Sequence, residues 1–187
     1  MFSKKDLQRL IIPLIIEQIL AVGVGMVDTI MVSTVGEAAV SGVALVDTIA
    51  VLLISLFSAL ATGGSVVTAQ YLGGKNIEKA NKSAKQLLLT VASLSTLIAL
   101  ISLIGNQAIL NLIFGDVEPA VMRNARIYFY ITALSYPFLA IYNGCAALFR
   151  VMGNSKISMK ASLILNGVNI STNAIALYVL KMGVEGV

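Results

Sequence analysis

The sequence predicts an all-α membrane protein, a polytopic bundle of helices that cross the bilayer. Three observations support this fold class: 58% of the 187 residues are hydrophobic, only 12% are charged, and the apolar residues form long uninterrupted blocks. A soluble domain carries about 25% charged residues, whereas a membrane helix needs about 20 consecutive apolar ones. The composition therefore excludes an ordinary soluble domain and makes the lipid bilayer the expected surroundings.

Five apolar blocks are long enough to span a bilayer. The first follows basic residues, as a secretory signal does, but it is far longer than the roughly 7–15-residue apolar core of a signal peptide. It also contains Pro13, Glu17 and Asp28, so we interpret it as a retained helix. The predicted spans cover residues of about 10–32, 43–69, 87–104, 127–149 and 157–179.

Two shorter segments complete the chain. Residues 106–114 are apolar but too short to cross, and we expect a short helix at the outer interface, with Pro119 beginning the approach to the fourth span. Residues 183–187 resemble a turn into a sixth span. We therefore expect the sequence to be part of a larger bundle.

The cations predict the orientation of the chain. Lys and Arg are retained in cytoplasmic loops, and ten of the 13 lie before the first span, between the second and third, or between the fourth and fifth. The N-terminus and the segment 75–85, interpreted as an amphipathic linker, should then be cytoplasmic, in a cell (inner) membrane. Because the cations are clustered between apolar blocks, they do not indicate a nucleic-acid partner. The ten cations are Lys4, Lys5, Arg9, Lys75, Lys79, Lys82, Lys85, Arg150, Lys156 and Lys160.

The scarcity of cysteine and the absence of histidine exclude several kinds of chemistry. Cys145 is the only cysteine and the sequence has no histidine, which excludes a disulfide framework and a Cys/His metal site. No Ser/Lys pair appears at membrane depth either, so we expect neither an enzyme nor a cofactor. Function must depend on carboxylates, amides, hydroxyls and the shape of a cavity.

Three carboxylates fall inside predicted spans: Glu17, Asp28 and Asp47. A charge at the centre of a membrane helix costs roughly 2.5–3.5 kcal/mol on insertion scales, so it usually faces a bundle interior or a wet cavity. Glu17 and Asp28 are three helical turns apart on nearly the same face. The alternative is that the two aspartates reach interfacial water by snorkelling.

Counting residues from the outer turns places four polar side chains in one layer. Asp28 and Asp47 each lie roughly 9–12 Å below the first outer turn at 1.5 Å per residue. Asn173 falls at about the same level and Asn169 one turn deeper. The sequence therefore predicts one outer-half cavity that contains these four residues, with Glu17 as a weaker member.

The order of motifs resembles the multidrug and toxic compound extrusion (MATE) family. The resemblance covers essentially the whole chain, and its motifs lie at residues 13–20, 27–32, 36–40, 62–74, 135–138, 149–156 and 165–170. They include Val-Asp-Thr around Asp28, Gln-Tyr-Leu-Gly-Gly at 70–74 and Arg-Val-Met-Gly-Asn-Ser-Lys at 150–156. Gly63, Gly64, Gly73 and Gly74 are interpreted as packing and turn residues rather than ligands.

The resemblance implies a function as well as a fold. MATE proteins have twelve helices in two lobes and export amphipathic, often cationic compounds against an inward flow of Na⁺ or H⁺. Residues 1–187 would then be the N-terminal lobe, and the C-terminal lobe would be missing. Asp28 would take part in ion coupling with Asn169 and Asn173. Some branches of the family carry an aspartate at the position of Asn173, and Asp47 is a candidate for the second carboxylate.

Two other functional classes are alternatives to this interpretation. A flippase of the same superfamily would export a lipid-linked oligosaccharide or cell-wall precursor, but its cavity should carry cations for the pyrophosphate, whereas the charges within these spans are acidic. A small structural subunit complete at 187 residues is disfavoured by the unfinished sixth span.

Overall fold

The fold is all-α, as predicted. The computed structural model describes residues 4–186, without the side chains of residues 4–7, 9 and 10; the side chains of Lys4, Lys5 and Arg9, used above for orientation, and Val187 lie outside the described part. The helices are α1 (Lys4–Ser33), α2 (Glu37–Gly73), α3 (Ile77–Ile104), α4 (Asn106–Phe114), α5 (Pro119–Val151) and α6 (Ser155–Ala174), followed by a π-helical turn (Ile175–Val179) and a 3-10 turn (Val184–Gly186).

Five of these elements have the length and apolar composition of membrane spans. They are residues 11–33, α2, α3, α5 and residues 155–179, which match the five predicted blocks. The predicted short helix is α4, and Pro119 occupies the first turn of α5. Pro suits that position because its missing N–H has no partner within the first turn of a helix.

Short turns make consecutive spans antiparallel. Three-residue connections at 34–36, 74–76 and 152–154 join α1 to α2, α2 to α3, and α5 to α6. Gly36 (φ 134°) and Gly153 (φ 78°) adopt positive φ values in two of them, which side chains disfavour. The end of the bundle that holds turns 74–76 and 152–154 is called the lysine-rich end below, and the other the opposite end.

The helices extend beyond the predicted spans. α3 begins at Ile77, ten residues before the predicted boundary, and the Asn76 side chain caps it by accepting a hydrogen bond from the Lys79 N–H at 3.0 Å. The predicted linker is therefore a three-residue turn plus the first turns of α3. Hydropathy missed this start because lysines lower it, although Lys is a good helix former.

The main core lies between α2, α3 and α5. Phe57 of α2 and Tyr136 of α5 are fully buried and meet edge to face, with ring centroids 6.2 Å apart. Small residues allow close approach here: a Cβ on Gly42 would stand 2.8 Å from the Ala125 backbone nitrogen, and one on Gly64 would collide with Leu87. The packing role predicted for Gly64 is confirmed, whereas Gly63 and Gly73 have open space.

The helices α1 and α6 form a second packed pair, which joins the core through α5 and α2. Both run from the lysine-rich end to the opposite end, so residues at equal depth meet side by side. The outer surface of α1 is apolar: Ile19, Met26 and Ile30 are each about two-thirds exposed. Such a surface suits lipid rather than water.

Candidate functional site

A cavity of about 250 Å³ opens between α1, α2 and α5 in the half of the bundle near the opposite end. Its polar lining comes from Asp28 and Thr29 of α1, Asp47 of α2 and Tyr128 of α5. The rest of the lining is small or apolar and comprises Gly25, Val32, Val40, Val43 and Ala44. The two aspartates predicted at equal depth therefore share one cavity.

Asp28 is held by the neighbouring helix. The Asn173 Nδ2 donates to the Asp28 Oδ1 at 2.9 Å and also lies 3.3 Å from the Asn169 Oδ1. Asn173 is 4% exposed and Asp28 is half-buried, so the amide is fixed by packing while the carboxylate keeps contact with the cavity. Asn173 thus binds Asp28 directly and Asn169 contacts Asn173, but neither amide is among the residues that line the cavity, where both were predicted.

Asp47 has different surroundings. Its side chain is exposed, and its Oδ1 accepts a hydrogen bond from the Tyr128 hydroxyl at 3.3 Å. It lines the same cavity as Asp28 but is held by α5 instead of α6. The two carboxylates therefore have separate partners on separate helices.

The structure does not bring Glu17 to this cavity. Glu17 lies nearer the lysine-rich end, where its Oε1 accepts from the Tyr142 hydroxyl and its Oε2 from the Ser158 hydroxyl, each at 3.3 Å. Eleven residues of α1 separate it from Asp28, which corresponds to about 16 Å at 1.5 Å per residue. Glu17 and Asp28 both face α6, in line with the predicted common helix face, but their difference in depth places Glu17 in a separate cluster.

Three of the residues that hydrogen-bond to these carboxylates were not predicted: Tyr128, Tyr142 and Ser158. Tyrosine and serine are common in membrane helices, so their presence alone is no signal. Depth could have identified Tyr128, because it lies nine residues into α5 from the opposite end, close to the level predicted for Asp47. Tyr142 lies nine residues before the end of the same helix and could have been matched to Glu17 in the same way.

The arrangement favours small cations and organic cations. Two carboxylates face a partly apolar cavity, where electrostatic attraction is stronger than in water. Oxygen atoms are the donors that Na⁺ and protons need, and the tyrosine ring and valines offer an apolar surface for an organic group. Among the described side chains, no three His, Cys, Asp or Glu residues gather as ligands of a metal ion.

Comparison with known proteins identifies the family. A family model described as MatE matches residues 13–175. The uncharacterized transporter YisQ of Bacillus subtilis (strain 168) is 25% identical over 179 residues, which is 94% of this chain and 39% of that protein.

Solved structures have the same fold. A MOP superfamily transporter from Pyrococcus furiosus, described as having a binding pocket of reverse polarity, superposes with a TM-score of 0.91 at 24% identity. A structure described as MATE in complex with MaD5 gives 0.90 at 26% identity. The matches cover 98% of this chain and 40% and 41% of those chains, so the sequence spans about two-fifths of its relatives' length. With the MatE model matching most of its length, this chain belongs to the MATE family.

Proposed function

We propose that this chain is the N-terminal lobe of a cation-coupled antiporter that exports amphipathic, often cationic compounds from the cell in exchange for Na⁺ or H⁺. One observation carries the proposal: the Asp28 carboxylate is bound by the amide of Asn173 at 2.9 Å and at the same time lines an open cavity. Family membership supports it, because a solved relative at a TM-score of 0.90 is described as a multidrug resistance MATE family transporter.

Competition at Asp28 supplies the coupling. A carboxylate in a membrane helix is stabilised by a bound cation, whether a coupling ion or the ammonium group of a substrate. When both use the same carboxylate, binding of one lowers the affinity for the other, and linkage requires the effect to be reciprocal. Inward movement of the ion can then drive outward movement of the substrate.

The charge of the cavity favours a cationic substrate. Asp28 and Asp47 are the charged residues among those that line it, and both are acidic. A pyrophosphate-bearing lipid would need cationic partners instead. The valine-rich part of the lining provides an apolar surface for the rest of an amphipathic molecule.

The proposal also includes an orientation in the membrane and a second lobe. We place the lysine-rich end in the cytoplasm, since Lys75, Lys79, Lys82 and Lys156 extend from it. A second lobe would supply the share of the relatives' length that this chain does not cover, and the lipid bilayer would surround both.

Transport by the product of the complete reading frame tests the proposal. The protein would be reconstituted in liposomes, and movement of the cationic dye ethidium followed under an imposed Na⁺ or H⁺ gradient. We expect one of the gradients to accelerate dye movement in the direction opposite to the ion, and its dissipation to abolish the effect. An anionic dye of similar size is the control. Dye movement indifferent to both gradients would contradict the proposal.

A further inference from the structure

The Glu17 cluster, formed by Glu17, Tyr142 and Ser158, joins three helices near the lysine-rich end. Glu17 of α1 is half-buried and accepts one hydroxyl from α5 and one from α6, each at 3.3 Å. Ser158 is 1% exposed. A carboxylate placed among helices in the membrane is costly unless it is compensated, so its partners indicate what it does there.

These hydrogen bonds compensate the carboxylate only partly. Both are long, since hydroxyl donors usually approach an oxygen to about 2.7–2.8 Å. The Ser158 hydroxyl also lies 3.0 Å from the Ser155 carbonyl oxygen of its own helix, and its single proton can serve only one acceptor at a time. Beside it, the Ser155 hydroxyl is 1% exposed and has no hydrogen-bond partner among the described residues.

The cluster therefore presents more oxygen acceptors than the described side chains satisfy. The acceptors are the two carboxylate oxygens of Glu17, the hydroxyl oxygens of Tyr142, Ser158 and Ser155, and the Ser155 carbonyl oxygen. Hard oxygen donors of this kind suit a small cation, and a proton on Glu17 would equally relieve its charge.

A line of polar side chains on α6 leads from this cluster towards Asp28. Their spacings of 4, 4, 3 and 4 residues keep them on one helix face. Hydrogen bonds link Asn166 to Ser162 at 3.4 Å and Asn173 to both Asn169 and Asp28. On α1, a Cβ on Gly25 would meet nothing within 4 Å, and Gly25 lines the cavity of Asp28. The polar line consists of Ser158, Ser162, Asn166, Asn169 and Asn173.

We propose that Glu17, Tyr142 and Ser158 form a second binding site for a small monovalent cation, Na⁺ or H⁺, which holds the coupling ion between Asp28 and its release at the lysine-rich end. The inference rests on the proposed antiport, because it assigns the ion a second position on its route. Asp28 and Glu17 are then successive sites along the parallel pair of α1 and α6.

Cationic side chains follow the Glu17 cluster on α5 and flank it on α6. Among the described side chains, Tyr142 is the titratable group that contacts Glu17 directly, and Arg150 follows two turns later on α5. On α6, the exposed Lys156 and Lys160 flank Ser158. Arg150 and Lys156 therefore lie closer to the lysine-rich end than Tyr142 and Ser158 do.

Cation stoichiometry tests the second site. In one arm, the full-length protein in detergent would be titrated with ²²Na⁺. In the other, proton release would be measured with a pH indicator in weakly buffered solution. Together the two arms identify the ion. We expect two saturable sites in the wild type, and one in both Glu17→Gln and Asp28→Asn. Tyr142→Phe and Ser158→Ala each remove a hydroxyl oxygen of the kind that Na⁺ uses as a ligand, so each should weaken Na⁺ binding at the second site by roughly tenfold.

The outcomes separate this inference from the proposed function. Unchanged stoichiometry in Glu17→Gln, even with a lower melting temperature, would make Glu17 a structural tether and overturn the second site while leaving Asp28 in place. A wild type that binds a single cation would overturn it too. If Glu17→Gln does not fold, unaltered affinities in Tyr142→Phe and Ser158→Ala decide against it. Transport that survives Asp28→Asn would instead remove the proposed coupling.

Discussion

Asn173 and Asp28 are 145 residues apart in the chain, yet the Asn173 Nδ2 donates to the Asp28 Oδ1 at 2.9 Å. The contact joins the first and last long helices of the bundle. A π-helical turn begins two residues after Asn173, and such turns occur often at functional sites. Asn173 also lies within reach of Asn169, so the amide is oriented before any ligand arrives.

Removing this amide should weaken ion binding at Asp28. Asn173→Ala removes the amide that holds the Asp28 carboxylate in place and with it an oxygen of the kind that Na⁺ uses as a ligand, so we expect roughly a tenfold lower affinity for Na⁺, with little change in expression. Ser171→Ala is the matched control, since the Ser171 hydroxyl is exposed and bonds only its own helix at Gly167. Ion titration of the purified full-length protein measures the ion affinity of both variants. Equal affinities would show that Asn173 does not contribute to the ion site.

Asp47 should affect the substrate more than the ion. It is exposed in the cavity and bonded to Tyr128, without a contact to the Asn173 amide. We expect Asp47→Asn to lower the affinity for a cationic dye by roughly tenfold through loss of one charge interaction, while ion binding is retained. Fluorescence titration with ethidium measures the first effect. Loss of ion binding as complete as in Asp28→Asn would show that Asp47 supplies the second coupling carboxylate.

Close packing at Gly42 predicts a stability effect. A Cβ there would stand 2.8–2.9 Å from backbone atoms of Ala125 and Val121, which cannot move as a flexible side chain can. Gly42→Ala should therefore destabilise the α2–α5 contact by about 1–3 kcal/mol. Gly63→Ala is the control, because nothing lies within 4 Å of its Cβ. Thermal unfolding in detergent should show a lower melting temperature for Gly42→Ala alone.

Much of the architecture could be predicted from the sequence, because hydropathy and depth in the membrane can both be read along the chain. Five spans and the common level of Asp28, Asp47 and Asn173 follow from counting residues along alternating helices. Which helices adjoin does not follow in this way, because the pairing of α1 with α6 depends on how the faces pack. Tyr128 and Tyr142 were missed for the same reason, since a tyrosine gains meaning only when a carboxylate lies opposite. Glu17 shares a face with Asp28, but about 16 Å of helix separates them.

The orientation of the bundle can be tested by cysteine accessibility. With the lysine-rich end in the cytoplasm, Lys79→Cys should react with an impermeant maleimide only after permeabilisation, and Glu37→Cys should react in intact cells. Both positions are exposed in the structure. Replacing the half-buried Cys145 by serine first removes the background. The reverse labelling pattern would invert the topology and, with it, the direction of the proposed export.

Ion-coupled efflux in Asp28→Asn tests the central claim most directly. The substitution keeps the size of the side chain and removes its charge, so the helix should insert at least as readily. Drug efflux would be measured in cells or vesicles containing the full-length protein under imposed Na⁺ and H⁺ gradients, at matched expression, with the loop variant Asp116→Asn as control. We predict that Asp28→Asn loses roughly tenfold or more of gradient-driven efflux, within the usual range of coupling energies, while Asp116→Asn retains it. Wild-type gradient-driven efflux in Asp28→Asn would contradict the account and leave Asp28 a structural partner of Asn173.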